Sequence, residues 1–353
     1  MEKRATSKDV ARLAGVSQAT VSYVLNNKPG QTIPKDTRDR VLKAARLLDY
    51  MPAQLARALR ASRTNCVAVM VNKNVMLPRY GQVLEGARSV LEPEGYRLLL
   101  CTDTLTPSGY PDYLSRYLFH RADGILYIGA DGQEPLPSAL EYIQGHKIPF
   151  VAYDCCEGRP QLSSVNLDYY TGTREAVAYF LSLGETRLAY LRPDLEMEQE
   201  RQREAGVREA VAQCPGASLQ VFSDFFPADS RLDDDFSPAL LLELKRTSRE
   251  FFTSVLERSP PGTRFVCSWG AWAQPLRHLL SGELHAPSVL GLAQAGSFPY
   301  GILDPQVLYC HLPNYQAGES CARLLLRQMD DPDSVHKQLL CPSIYRAGAP
   351  LVY

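Results

Sequence analysis

Residues Thr6–Leu25, reading TSKDVARLAGVSQATVSYVL, constrain this chain more tightly than any other stretch. Two short amphipathic helical patterns meet at a tight break, Ala14-Gly15-Val16. Ser7 is the expected N-cap of the first, with Val10, Ala11 and Ala14 facing inward. Ser17 is the expected N-cap of the second, with Val21, Val24 and Leu25 returning at helical spacing. A small residue, Ala11, stands four positions ahead of Gly15 and lets the helices approach across the turn. This is the helix-turn-helix pattern, in which the second helix enters the DNA major groove. An ordinary helical hairpin carries the same local signals, so the residues that follow decide between them.

A third helical pattern comes next. Asp36–Leu48 places Val41, Leu42, Ala45 and Leu48 on one face, and the pairs Asp36/Arg40 and Asp39/Lys43 at i,i+4 spacing on the other. Acidic residues fall in its first turn and basic ones later, as the helix dipole prefers. After Tyr50, Pro52 opens the short apolar-basic segment AQLARALRASR. Residues 1–63 hold thirteen Lys and Arg against five acids, a net +8, and the whole chain is −1, so the remaining 290 residues carry −9. A basic module on an acidic body approaches phosphates module-first.

At 353 residues the chain is long enough for more than one domain with a substantial core. The N-terminus is polar with no apolar signal region, and no apolar run approaches the ~18 residues of a membrane helix. Nine scattered cysteines, an odd number, read as reduced thiols of a cytoplasmic protein. A redox sensor at the vicinal Cys155-Cys156 pair is the alternative, against the local geometry of neighbouring residues. None of the common catalytic or nucleotide-binding motifs occurs, and the six histidines lack metal-ligand spacing. The expectation is no enzyme activity, no cofactor and no metal.

Beyond Thr64, short apolar runs alternate with helical patterns. Strands are expected at Cys66–Val71, Tyr96–Cys101, Gly124–Ile128, Pro149–Tyr153, Arg187–Leu191, Leu219–Phe222 and Arg264–Ser268. Helices are expected at Gln82–Glu92, Tyr110–His120, Pro137–Gln144, Tyr170–Ser182, Gln199–Ala212 and Pro238–Leu256. Such repeats predict parallel sheets covered on both faces, in two doubly wound lobes with a ligand cleft between them.

Three segments in order, KDVARLAGVSQATVSYVLN (Lys8–Asn26), TRDRVLKAARLLDY (Thr37–Tyr50) and PAQLARALRASRT (Pro52–Thr64), resemble the lac-repressor/galactose-repressor (LacI/GalR) family of bacterial transcription regulators. RADGILYI (Arg121–Ile128), PFVAYD (Pro149–Asp154) and REAGVREAV (Arg203–Val211) extend the resemblance over the body, and it fades after about residue 215. The resemblance implies an all-α helix-turn-helix headpiece joined to an α/β, periplasmic-binding-protein-like effector domain of two Rossmann-like parallel-sheet lobes. Its parts would be a headpiece (1–50), a hinge (51–64) and a body (65–353). Lobe 1 would span about 65–163 and 294–325, and lobe 2 about 164–293 and 326–353.

For DNA, Ser17, Gln18, Ala19 and Tyr23 match the positions that reach base edges, Thr20, Ser22 and Asn26 match phosphate contacts or turn-closing groups, and Ser7 is a further DNA-binding candidate. Gln18 can grip adenine with two hydrogen bonds, whereas Ala19 offers only an apolar contact to a thymine methyl. Position 23 is commonly arginine in the family; tyrosine here puts the family's guanine preference in doubt. Leu59, beside Arg60, matches the hinge leucine that wedges into the minor groove of a pseudo-palindromic, double-stranded operator. A plain basic linker is the alternative for that segment.

For the effector, Arg203 in R-x-x-G and Asp154 match polar cleft positions, and Tyr80 and Ala293 are further candidates. The family's Asn-Asp pair is here Ser268-Trp269, and its later Gly-aromatic-Asp-Asp is Gly291-Leu292-Ala293-Gln294. With two sugar-gripping side chains replaced, either the ligand is not a typical sugar or the cleft has lost its small molecule. The C-terminus lacks the leucine heptads of tetrameric relatives, so the expected assembly is a homodimer. The resulting expectation is a cytoplasmic, ligand-modulated repressor with a small-molecule effector, carbohydrates among the candidates. A co-repressor- or protein-partner-dependent regulator is the alternative.

Overall fold

A computed structural model describes residues 6–25, 33–48, 63–129, 133–184, 186–225, 238–280, 288–295 and 307–344. Asn26 and the expected hinge residues 51–62, Leu59 and Arg60 among them, lie outside the described residues.

The headpiece comprises α1 (Ser7–Ala14), α2 (Gln18–Leu25) and α3 (Lys35–Leu47). Val10, Ala11, Ala14, Val21, Val24, Leu25, Val41 and Ala44 close one small core. The first N-cap is Thr6 and not Ser7. The Thr6 amide donates to the Asp9 carboxylate at 2.9 Å and its hydroxyl donates to the same oxygen at 2.6 Å, a capping box that moves the helix start one residue earlier. Gly15 ends α1 with φ +66, a left-handed cap that a side chain would strain. Ser17 caps α2 as expected, its hydroxyl accepting from the Thr20 amide at 3.1 Å.

The body folds as two six-stranded sheets. The first runs β11-β5-β4-β3-β1-β2, all parallel, from β1 (Cys66–Val71), β2 (Arg97–Cys101), β3 (Gly124–Ile128), β4 (Phe150–Tyr153), β5 (Ser163–Leu167) and β11 (Lys337–Leu340). The second runs β12-β10-β9-β8-β6-β7, from β6 (Arg187–Pro193), β7 (Ser218–Phe225), β8 (Arg264–Cys267), β9 (Val289–Gln294), β10 (Val307–His311) and β12 (Ser343–Ile344). Only β12 is antiparallel to its neighbour.

Alternate residues feed opposite faces, as the two-residue period of a strand requires. Val67, Val69, Leu126 and Ile128 enter one core of lobe 1, whereas Ala68, Met70, Ile125 and Tyr127 enter the other. Lobe 2 splits likewise, with Ala189 and Phe265 on one side, Leu188 and Val266 on the other. Strands buried on both faces explain why the interior reads as apolar runs without alternation.

The helices of lobe 1 are α4 (Pro78–Leu91), α5 (Asp112–Leu118), α6 (Pro137–Gly145) and, returning from lobe 2, α11 (Asn314–Asp330). Those of lobe 2 are α7 (Tyr169–Ser182), α8 (Glu198–Ala212), α9 (Pro238–Arg258) and α10 (Ala273–Leu279). The lobe limits expected from the sequence need correction. Ser163–Leu167 pairs with β4 and belongs wholly to lobe 1. Val307–His311 pairs with β9 in lobe 2, although it falls in the 294–325 range expected for lobe 1. Lys337–Leu340 pairs with β5 in lobe 1, although it falls in the range expected for lobe 2. The chain thus crosses after β5, β10 and β11, and ladder pairing sets each boundary. At the crossings the Asp168 amide donates to the Leu340 carbonyl and the Leu312 amide to the Gln294 carbonyl, both at 2.9 Å.

Among the described residues no helix is long and apolar enough to cross a membrane. All nine cysteines are free thiols, Cys155 and Cys156 included. The Cys155 thiol is held well above its ordinary range, first by hydrogen bonding to Cys156 and then by burial, which keeps it protonated.

Candidate DNA-reading face and interlobe cleft

Two surfaces carry the polar chemistry. On α2, the buried stripe Val21, Val24 and Leu25 fixes which side faces the headpiece core, and Ser17, Gln18, Ala19 and Ser22 stand exposed on the other. Tyr23 and Thr20 are half-buried at the margin, and Thr20 shares a 2.9 Å hydroxyl contact with Ser17. The Gln18 amide nitrogen donates to the Ser7 hydroxyl at 3.2 Å, so α1 and α2 are tied through a side chain on the reading face. Ser7 therefore opens α1 and faces Gln18 instead of capping a helix. An exposed polar strip on a second helix, anchored by a buried stripe, is the arrangement that reads base edges in the major groove.

The second surface is the cleft. Asp154 follows β4 with φ 56, a left-handed turn that aims its carboxylate across to lobe 2. Arg79, from the first turn of α4, donates to this carboxylate, as does the Tyr169 hydroxyl at 3.2 Å; Arg79 also reaches the Tyr169 oxygen at 3.1 Å. From lobe 2, the Gln199 amide on α8 donates to Asp154 at 2.5 Å. Burial pushes the Tyr169 phenol well above its usual range, so it stays a neutral donor.

Arg203, one turn along α8, is 4 % exposed. Its Nε donates to the Ser268 hydroxyl at 3.0 Å, its Nη2 to Glu200, and its guanidinium lies 5.1 Å from the centre of the Tyr169 ring. Burial works against the charge on Arg203, and the Glu200 carboxylate outweighs it, raising the guanidinium pKa. Glu200 is 1 % exposed and also accepts from Ser268 Oγ at 2.5 Å and from Trp269 Nε1 at 2.8 Å. Gly206 gives R-x-x-G its physical meaning. A Cβ there would stand 2.6 Å from the Tyr170 carbonyl, so the glycine lets α8 seat against α7 and sets the depth of Arg203.

Of the effector candidates, Asp154, Arg203, Ser268 and Trp269 converge in this network. Tyr80 is buried in the apolar cluster of lobe 1, its ring 5.8 Å from the Arg79 guanidinium. Ala293, at φ 47, is half-buried against the same cluster and supplies no polar group. Arg79, Tyr169, Gln199 and Glu200 escaped the sequence reading. The run EMEQERQREAG looks like a solvated helix face, and only the docking of α8 on the cleft reveals that Gln199, Glu200 and Arg203 are buried. Trp272 packs 5.3 Å from Trp269 and among Phe251 and Phe252, so it serves the lobe 2 core. Among the described residues no group of three or more His, Cys, Asp or Glu is placed to hold a metal ion.

A helix-turn-helix headpiece on a two-lobed cleft body defines the class of DNA-binding transcription regulators. Residues 6–53 match the model of the bacterial regulatory proteins of the lacI family. The chain is 33% identical over 335 residues to the HTH-type transcriptional repressor PurR of Vibrio campbellii, covering 93% of each protein. It belongs to the lacI family, and is a DNA-binding regulator of that family. Similar solved structures include the transcriptional regulator CelR–cellobiose complex, with TM-score 0.58, 22% identity, and coverage of 97% of this chain and 99% of that one. The lac repressor dimer bound to operator and the anti-inducer ONPF gives TM-score 0.58, 19% identity and 98% coverage of both chains. At these identities the likeness concerns the fold.

Proposed function

We propose that this chain is a cytoplasmic homodimeric repressor that binds a pseudo-palindromic operator and whose cleft, between the lobes, controls that binding. Ser17, Gln18 and Ala19 reach base edges with Tyr23 at the edge of the strip, Thr20, Ser22 and Asn26 contact the backbone or close the turn, and Leu59 with Arg60 serves the minor groove at the centre. The carrying observation is the strip Ser17–Ala19 and Ser22, exposed opposite the buried face of α2. No catalytic step is part of this reading. Lobe closure sets the spacing of the two headpieces, and a small molecule acts by shifting that closure. That a neighbour of the same fold is a cellobiose complex supports an effector of the carbohydrate class. The Ser268-Trp269 pair and the seating of Glu200 on Arg203 favour an effector other than a plain neutral sugar, or none.

The test is selection of random duplex DNA by the purified full-length protein at near-physiological salt, read by sequencing. A recovered pseudo-palindrome with a fixed centre is the expected result. No enrichment, with or without the low-molecular-weight fraction of a cell extract, overturns the reading.

A further inference from the structure

The cleft holds more than polar side chains awaiting a ligand: its charged groups are already satisfied by one another. Arg203, Ser268 Oγ and Trp269 Nε1 converge on one point, and the Glu200 carboxylate occupies it. Three such donors form an anion site, and the anion is supplied by the same helix one turn earlier. A tethered carboxylate has a high effective concentration there, so a free ligand competes with it at a disadvantage. A neutral polyol offers Arg203 no charge to replace the one it would lose.

The adjoining residue carries the connection between lobes. Gln199 reaches across to Asp154 at 2.5 Å, and Tyr169 links both halves, its hydroxyl on Asp154 and its ring face under Arg203. Asp154 and Gln199 are both buried, so separating the lobes would leave this carboxylate and amide to find new partners, whereas the Glu200–Arg203 pair stays within lobe 2.

We infer that Gln199, held on Asp154 across the cleft beside a Glu200 that fills the anion site on Arg203, forms a built-in latch that closes the lobes, so that operator binding is the resting state of the molecule and an effector acts by releasing the latch. The inference rests on the repressor reading above and deepens it by assigning relief of repression, not co-repression, as the direction of control. Glu200 is then the specificity-determining residue, since any releasing ligand has to displace its carboxylate from Arg203.

Of the two tryptophans of the chain, Trp269 donates to Glu200 and Trp272 packs beside it in the lobe 2 core, so intrinsic fluorescence reports on the cleft wall next to the latch. The experiment uses full-length protein stripped of small molecules by denaturation, dialysis and refolding, and monitors tryptophan emission, acrylamide quenching and binding of the selected operator. Wild type is expected to show the blue-shifted, poorly quenched emission of shielded indoles and to bind operator with nothing added. Gln199→Ala, which cuts only the bridge between lobes, and Glu200→Gln, which keeps the shape but not the charge, are each expected to raise quenching. Gln199→Ala is also expected to weaken operator binding at least tenfold, and both variants to keep a cooperative melt. Solvent-exposed emission from stripped wild type would overturn the latch. So would operator binding that appears only when a low-molecular-weight extract is restored, or a Gln199→Ala variant that binds operator as tightly as wild type or tighter. Shielded emission and responsive variants without any duplex binding would instead sink the repressor reading and, with it, the assigned direction of control.

Discussion

The reading face and the cleft use the same local device in opposite solvents. At the start of α2, Ser17, Gln18 and Ala19 are exposed; at the start of α8, Gln199, Glu200 and Arg203 are buried. Gln18 and Ala19 face water until another molecule replaces it, so either can change with little consequence for folding, whereas Ser17 also caps the helix. The members of the second set are satisfied by one another and by other cleft groups, Asp154, Ser268 and Trp269, so each residue is held by its neighbours. Specificity for DNA is therefore adjustable without loss of stability, whereas the cleft can be altered only through folding free energy.

The largest expected effect follows from this interdependence. Glu200→Ala leaves the Arg203 guanidinium buried without its carboxylate, and breaking one side of such a pair costs about 3–5 kcal/mol. Denaturant unfolding followed by tryptophan emission reads the body alone, because both tryptophans lie there. A loss under about 1 kcal/mol would show that water or another cation partner takes over, and the contrast with the reading face would fail.

The next effect belongs to the reading face. Gln18→Ala removes the two-pronged adenine contact and is expected to reduce discrimination at one base pair by about 1–3 kcal/mol, roughly 5- to 150-fold. Its effect on unfolding is expected within about 0.5 kcal/mol, since the residue is exposed. Sequencing-based selection and denaturant melts on the same preparation test both halves. A stability change as large as the binding change would erase the difference between the two regions.

A third test concerns acid. Burial lowers the pKa of His311, on β10 beside the second crossing, from 6.5 to about 4. Between those values the unfolded chain binds a proton that the folded chain refuses. Stability is thus whole above pH 6.5 and falls as the pH drops toward 4. The ring is part-exposed, so about 1–2 kcal/mol is expected, less than the full shift would give. His311→Gln should flatten this part of the pH profile of the body's melt; an unchanged slope would place the acid sensitivity elsewhere.

Much of the fold was legible because it rests on local pattern. Cys66–Val71 and Gly124–Ile128 are uninterrupted apolar runs, and both are strands with the expected limits. Strand β5, with Ser163, Ser164 and Asn166 among its five residues, is fully buried yet reads as polar. Strand β11 is a mostly exposed edge with no alternation to recognise. Both are defined by long-range pairing, and that is why the lobe boundaries were misplaced. The site divides in the same way. Exposed Gln18 follows from its place after Ser17 in a helix-turn-helix, whereas Asp154 and Gln199 become neighbours only when the two lobes face each other across three crossings, and Glu200 meets Ser268 only when α8 docks by the end of β8. Arg203, Asp154, Ser268 and Trp269 were reached through family resemblance, whereas Arg79, Tyr169, Gln199 and Glu200 had no signal in one dimension.

The smallest expected effect lies where the reading face borrows the logic of the cleft. Ser7 accepts a hydrogen bond from the Gln18 amide at 3.2 Å, so one exposed reading residue is held by a neighbour as the cleft residues are. This contact orients the Gln18 nitrogen toward α1 and fixes which end of the amide is presented to a base. Removing it with Ser7→Ala is expected to cost about 0.5–1 kcal/mol of discrimination at the Gln18 base pair, in the range of a single exposed hydrogen bond. Overall operator affinity and headpiece melting should move less. A double-mutant cycle with Gln18→Ala separates the possibilities. If Ser7 acts through Gln18, its loss has no further effect on that base pair once Gln18 is alanine. If Ser7→Ala still weakens binding in the Gln18→Ala background, and does so equally on every duplex, the Ser7 hydroxyl contacts the phosphate backbone directly and the reading face is held by water alone.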